Sequence, residues 1–518
     1  MLNAHEITRY FGSNPVLDGV SLSIGDGDRV GLIGRNGCGK TTLLRILAGR
    51  EAPDGGHVGG ARRNLSVGYL PQFPDFAAGV EAAGAVSDGL PPGVPYWRVR
   101  KTMAGLGFSA GQMEQEAATL SGGEKTRLML ARLLLGEHDI LLLDEPTSHL
   151  DITMLRRLEE TLGAYRGAYL VVSHDRRFLD RTVSRIVELD GGRVTEWAGN
   201  YSKYAEAKRV AMEGQRAAWL DQQRQINVLR EFIGRALGWA AKGESGPKRG
   251  RDQRGRIAEK VARRAHAAER RIEHMDRVEK PREGPRLSAA FQPERRGGQV
   301  VFEARAMSKT YGGRSLWEDA GLWVQYGERI GIVGPNGSGK TTLLRVLMGL
   351  EEPTAGEARQ GAGLVPLYLD QEQRNLDPDR TVLETVEATG RMSRTEARTL
   401  LACFLFREDE VFKRVGDLSG GERARLAVAG AVVSGANLLV LDEPTNHLDI
   451  DTRERLEDAI SAYTGTLLVV SHDRYLLDRL TRRTWSLEDG RLEDYGGPFH
   501  AWEQSRTPAD VTLPEPIP

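Results

Sequence analysis

The stretch Gly34-Arg35-Asn36-Gly37-Cys38-Gly39-Lys40-Thr41-Thr42 has the residue types that a phosphate group requires. Its glycines let backbone N–H groups surround an anion at a helix N-terminus, Lys40 can reach the outer phosphates, and Thr41 can ligate Mg²⁺. The arrangement returns 300 residues later as Gly334, Asn336, Gly337, Gly339, Lys340, Thr341 and Thr342. One match is compatible with a chance glycine-rich turn; two are not.

Downstream of each loop an apolar run ends in two carboxylates, Asp144-Glu145 and Asp442-Glu443. The aspartates can hold Mg²⁺ through water, and the glutamates can orient or deprotonate an attacking water. A carboxylate pair in a strand-end turn would look the same by itself; the phosphate loop upstream of each pair favours catalysis. His174 and His472 each follow another apolar run, within reach of a γ-phosphate or its water, although a lone histidine there is more often structural. The Leu-Ser-Gly-Gly-Glu runs at 120–124 and 418–422 place Ser121, Gly122, Gly123 and Ser419, Gly420, Gly421 at helix starts, where the serines can cap and the N–H groups can hold phosphate.

Carboxylates, histidines and serine–glycine runs all recur at an offset of 298 residues, so the 518-residue chain carries two copies of one domain. The boundaries read as 1–205 and 299–505, with a segment at 206–298 between them and a short tail at 506–518. Within each copy, β-rich runs such as Arg29–Ile33, Ile140–Leu143 and Ala168–Val172 alternate with helical segments. That pattern predicts an α/β domain with a largely parallel sheet and ligands at the strand ends.

Between the copies, Trp219, Ile226, Leu229, Ile233 and Leu237 share a helical face, as do Ile257, Val261, Ala265, Ala268, Ile272 and Met275. Gly243, Gly246, Pro247 and Gly250 separate the two series, which predicts an antiparallel helical hairpin. Pro281, Pro285 and the Gly297-Gly298 pair are expected to end its second helix. The whole chain has a formal net charge of -1, yet residues 208–296 hold 23 Lys and Arg against 12 Asp and Glu. The basic tip, with Trp239, Lys242, Lys248, Arg249, Arg251, Arg254 and Arg256, suits RNA phosphates and base stacking. A solvated coiled coil whose charges keep it soluble is the competing reading. Apolar runs far short of about 20 residues argue against a membrane span, and two distant cysteines, Cys38 and Cys403, fit a reducing cytoplasm.

Leu-Ser-Gly-Gly-Glu ahead of Asp-Glu-Pro-Thr resembles the signature and Walker B motifs of ATP-binding cassettes. The Asp-Glu-Pro-Thr-Ser/Asn-His-Leu-Asp blocks, the Ser-His-Asp-Arg runs and the basic linker together resemble the ABC-F family. The resemblance implies two P-loop NTPase cassettes paired head to tail around two ATP molecules with Mg²⁺. It sets Lys40, Gln72, Asp144, Glu145 and His174 against Ser419, Gly420 and Gly421. It likewise sets Lys340, Gln371, Asp442, Glu443 and His472 against Ser121, Gly122 and Gly123. Gln72 and Gln371 join Thr41, Thr341, Asp144 and Asp442 as metal-site residues, and Phe11 and Tyr311 take the place of the adenine-stacking aromatic, with a core role as the alternative. Complete elements in both copies imply that both sites hydrolyse ATP.

The same resemblance implies a monomeric, cytoplasmic, ribosome-bound factor whose linker approaches the peptidyl-tRNA from the tRNA exit site, contacting rRNA and tRNA. Two alternatives are an antibiotic ribosome-protection ATPase and, less favoured, a DNA-directed cassette ATPase or transporter subunit. The residues between Gln72 and Leu120 are Gly-, Pro- and Ala-rich, so no large helical arm is expected in the first cassette.

Overall fold

The computed structural model describes residues 1–60, 65–244, 251–280, 293–370, 376–389, 392–406, 408–446 and 448–506, without the side chains of 240–255 and 258. Two compact units emerge: one joins residues 1–202 to the chain after 285, and the other is 203–284.

The first unit holds two copies of one α/β fold. In the first copy, β1 (Leu2–Phe11) and β2 (Asn14–Ile24) lead into β3 (Arg29–Ile33) and α1 (Lys40–Leu47). Then come β4 (Gly55–Gly60), β5 (Val67–Leu70) and three short helices, α2 (Ala82–Ser87), α3 (Tyr96–Gly105) and α4 (Ala110–Glu114). None of the three exceeds 10 residues, in line with the expected lack of a large arm. The copy continues through α5 (Gly122–Leu135), β6 (Ile140–Asp144), α6 (Ile152–Ala164), β7 (Ala168–Val172), α7 (Arg176–Thr182), β8 (Arg185–Asp190) and β9 (Arg193–Ala198).

The six-stranded sheet runs in the order β5-β6-β7-β3-β8-β9, parallel except for its antiparallel edge strand β9. Every residue of β6 and β7 is buried, as strands covered on both faces require. A second, antiparallel sheet, β2-β1-β4, closes a core of Ile7, Leu17, Val30, Leu32, Leu43, Leu142 and Leu170 over α1. Because β3 and β6 end side by side of β7, the phosphate loop and the Asp-Glu pair open at the same sheet edge.

Two further helices, α8 (Tyr201–Glu244) and α9 (Arg251–Glu273), precede the second copy. That copy comprises β10 (Val300–Tyr311), β11 (Arg314–Gln325), β12 (Arg329–Val333), α10 (Lys340–Leu347), β13 (Ala355–Gln360), β14 (Pro366–Leu369), α11 (Val382–Glu387), α12 (Arg394–Cys403) and α13 (Gly420–Val433). It ends with β15 (Leu438–Asp442), α14 (Ile450–Ser461), β16 (Thr466–Val470), α15 (Arg474–Leu480), β17 (Arg483–Glu488), β18 (Arg491–Tyr495) and α16 (Phe499–Ser505). Its six-stranded sheet, β14-β15-β16-β12-β17-β18, repeats the topology of the first.

The second unit is a helical hairpin. Ile233, Ala236, Ala265 and Ala268 form its buried seam, joined by Leu229, Leu237, Val261 and Ile272 from the two faces read in sequence. Ile257 is exposed. The second helix ends at Glu273, ahead of the prolines expected to stop it; Pro281 and Pro285 lie outside the described residues. Side-chain bonds hold the chain beyond it instead: Gln222 donates to the Asp276 carbonyl and accepts from the Val278 amide, and Gln215 donates to the Glu279 carbonyl. Trp219 packs under the Lys280 ammonium, 5.7 Å from the ring centre.

Candidate functional site

Each phosphate loop has the backbone that its glycines permit. Gly39 and Gly339, at φ 105 and 100, turn the chain into α1 and α10. A Cβ on Gly34 would meet the Leu189 carbonyl oxygen at 2.4 Å, so a larger residue there would displace the loop from the sheet. The Lys40 ammonium donates to the carbonyls of Gly34 and Arg35 at 2.8 and 3.0 Å, and Lys340 does the same to Gly334 and Pro335 at 2.8 and 2.9 Å. Burial raises the Asp144 and Asp442 carboxyls, and the adjoining Thr41 and Thr341 side chains pull against it.

The strand-end carboxylates open a turn, closed by the Ser148 and Asn446 amides donating to the Glu145 and Glu443 carbonyls. Glu145 and Glu443 occupy the left-handed backbone region, at φ 51 and 49, which glutamate seldom adopts. Their amides donate to the carbonyls of Val172 and Val470 on the neighbouring strands. Burial pushes the Glu145 carboxyl up to about 7 against the pull of Lys40, and that of Glu443 up to about 8 against Lys340. His174 Nε2 lies 3.3 Å from Glu145 Oε1, and His472 Nε2 lies 3.4 Å from Glu443 Oε1. Burial, with the nearby lysine, holds both imidazoles well below their usual range, so they stand neutral at pH 7. Asp144 Oδ2, Glu145 Oε1, Asp442 Oδ2 and Glu443 Oε1 are buried without a hydrogen-bond partner. Each site thus offers two such oxygens, an acceptor pair suited to a hydrated Mg²⁺ and a water nucleophile.

The two cassettes meet through these loops. The Asn36 amide of the first phosphate loop donates to Asp449 Oδ2, and the Asn336 amide of the second donates to Asp151 Oδ2, both at 3.2 Å. Asn336 Nδ2 also donates to the His149 carbonyl, which lies against Gly123. Burial lowers the Arg425 pKa on α13, and Arg35 of the first phosphate loop adds to that shift. Ser121 and Ser419 cap α5 and α13 with full capping boxes to Glu124 and Glu422. Gly122 and Gly420 are the first residues of those helices, followed by Gly123 and Gly421.

Phe11 and Tyr311 are 55% and 48% exposed at the tips of the β1–β2 and β10–β11 hairpins, which excludes the core alternative. Gln72 is exposed and, with Phe73, Glu145, Gly337, Lys340 and Glu443, lines a cleft of ≈ 560 Å³ between the two cassettes. Gln371 lies outside the described residues, as do Lys248 and Arg249 and the side chains of Lys242, Arg251 and Arg254; Trp239 and Arg256 are exposed on the hairpin.

Sequence reasoning assigned no role to the arginines that follow the histidine loops. Arg176 pairs with Glu457 across the two cassettes, and Arg474 pairs with Glu159, all four buried. The signal was present in the repeated Ser-His-Asp-Arg run, but nothing local in the sequence names the partner.

Fold and site define a tandem ATP-binding-cassette ATPase. The family model described as ABC transporter matches residues 17–148 and 317–446, and a second of that description matches 187–289. The chain is 35% identical to ABC transporter F family member 5 of Arabidopsis thaliana, over 94% of this chain and 74% of that one. It is 34% identical to the energy-dependent translational throttle protein EttA of Escherichia coli (strain K12), over 94% and 92%. The solved structure of RNase-L Inhibitor superposes with a TM-score of 0.66 at 23% identity, covering 95% of this chain and 90% of that one. The protein belongs to the ABC-F family. Among the described residues no helix is long and apolar enough to cross a membrane.

Proposed function

We propose that this ATPase is a ribosome-binding factor whose cassettes close on two ATP molecules and whose basic hairpin then engages RNA near the tRNA exit site. The observation that carries the reading is the reciprocal seating of each phosphate loop on the opposite cassette, combined with a hairpin that collects the chain's positive charge. A relative named as a translational throttle, similar over 94% of this chain, supports the same direction.

In this reading Lys40 and Lys340 bind the β- and γ-phosphates, and Ser121, Gly122 and Gly123 complete the site built on the second loop. Ser419, Gly420 and Gly421 complete the site built on the first. Phe11 and Tyr311 stack on adenine. Mg²⁺ would be held by Thr41 with Asp144 and by Thr341 with Asp442, aided by Gln72 and Gln371, and supplies charge neutralisation on the phosphate oxygens. Glu145 and Glu443 orient and deprotonate the attacking water, while the neutral His174 and His472 donate toward the γ-phosphate. Hydrolysis removes the γ-phosphate that bridges each phosphate loop to the opposite serine–glycine run, so ATP times release.

The test is co-sedimentation. A Glu145→Gln/Glu443→Gln protein with ATP is expected to remain with ribosomes through a sucrose cushion, and its absence from the ribosomal pellet would sink the proposal. Changing Lys248, Arg249, Arg251 and Arg254 to Glu should weaken that retention at least about tenfold without moving half-saturation by ATP, because phosphate contacts carry the affinity. Equal retention would reduce the hairpin to a tether.

A further inference from the structure

The two composite sites differ at several positions, one of which lies against a histidine loop of the opposite cassette. Asp151 and Asp449 cap α6 and α14 and reach the opposite phosphate loops alike. Four residues further on, the first cassette has Leu155 and the second has Arg453. Leu155 is buried, and both Leu155 and Arg453 line the cleft between the cassettes. Arg453 does what no leucine can: Nη1 donates to the carbonyl of His174 in the opposite cassette at 3.0 Å and to Asp473 Oδ2 at 3.2 Å, and Nε donates to the Leu448 carbonyl at 3.0 Å. Its side chain is 14% exposed, so these bonds face little competition from water.

We infer that Arg453 is a positioning residue for the site built on Lys40, Glu145 and His174, and that the two sites hydrolyse ATP at unequal rates. The inference rests on the site assignment proposed above. The His174 carbonyl lies between β7 and the helix cap Asp175, and among the described residues the other tie on that peptide is the Asp175 amide donating to Ser173 Oγ at 3.0 Å. Arg453 fixes it from the other cassette, and with it the imidazole 3.3 Å from Glu145. That constraint exists only while the cassettes are together, so it acts on the closed state and not on initial ATP binding. Asp473, beside His472, keeps other partners without Arg453: it caps α15 through the amides of Tyr475 and Leu476, and Arg176 stands 3.7 Å away.

The experiment isolates each site in its first turnover, which requires no reopening. Protein loaded with ATP is started with Mg²⁺ and acid-quenched. Glu145→Gln and Glu443→Gln should each cut the phosphate burst from about two to about one per chain, given one γ-phosphate per site; no cut would indict the site assignment and not Arg453. In the Glu443→Gln background, Arg453→Leu is expected to slow the burst about tenfold while half-saturating ATP moves less than about twofold, as loss of orientation in a bound complex predicts. In the Glu145→Gln background the same change is expected to slow the burst by less than about threefold. Equal slowing in both backgrounds, or none with Glu443→Gln, overturns the inference. Arg453→Lys keeps the charge and loses the fork, so it is expected to fall between Arg and Leu in the Glu443→Gln background only. It decides the matter if the leucine variant does not fold.

Discussion

Glu145→Gln/Glu443→Gln should lose about 10²–10⁴-fold in steady-state ATP turnover while still binding ATP, the range that removal of a positioned general base produces. Glutamine keeps the shape of the side chain and the acceptor that meets the His472 amide at 3.3 Å. It cannot take a proton from water. A phosphate-release assay with tight nucleotide retention checks both halves of the expectation, and unchanged turnover would move the catalytic role elsewhere. A second readout follows from burial. Each carboxyl sits above the ordinary 4.5, at about 7 for Glu145 and about 8 for Glu443, because the interior disfavours its charge. In the unfolded chain both ionise from about pH 4.5. Unfolding therefore releases protons between pH 4.5 and 7 or 8, and the native state loses stability as pH rises through that window. Removing both carboxyls should make nucleotide-free protein melt higher than wild type at pH 8, with a smaller gap at pH 5. A constant gap would mean that burial of these charges is not what the active site costs the fold.

The residues around these carboxylates were legible because their chemistry is local. A glycine that must take φ 105 to start a helix, or an aspartate at the end of an apolar strand, shows in its own few neighbours. The largely parallel sheet followed in the same way from short apolar runs spaced by helices. The exposure of Phe11 and Tyr311 was not readable, because an aromatic at a hairpin tip and one in a core have the same local sequence. The end of α9 was misplaced for a related reason: the expected stop was proline, whereas Gln215 and Gln222, more than fifty residues upstream, hold the chain that follows the helix. The Leu155/Arg453 difference was visible at the repeat offset, yet it had no meaning until α14 was seen to begin against the opposite histidine loop.

Cross-cassette pairing was the least legible feature, and it carries the second large effect. Arg176 and Arg474 are 4% and 0% exposed, and their partners Glu457 and Glu159 are 2% and 7% exposed as side chains. Each carboxylate takes a second arginine from its own cassette, Arg479 for Glu457 and Arg181 for Glu159, at 3.2 and 2.8 Å. Asp473 and Asp175 stand 3.7 and 3.5 Å from the buried guanidiniums. The arrangement is a pseudo-twofold clasp, with each cassette giving one arginine and receiving one. A charge buried on that scale is stabilising only while its partner remains. Glu457→Gln leaves Arg176 with Asp473 at 3.7 Å and Glu454 at 4.0 Å, and Arg176→Ala leaves Glu457 with a single arginine; each is expected to cost up to about 3 kcal/mol in urea unfolding of the nucleotide-free protein. Replacing both with apolar residues of similar volume, Arg176→Met/Glu457→Leu, should recover most of that loss, since the desolvation cost leaves with the charges. The cycle is therefore expected to show a coupling above about 2 kcal/mol, and additive costs within about 0.5 kcal/mol would show that the pair does not act as a unit. Because the partners belong to different cassettes, the single variants should also lower the steepness with which turnover rises with ATP. The phosphate loops meet Asp151 and Asp449 only when the halves are held in register, and the clasp is what sets that register.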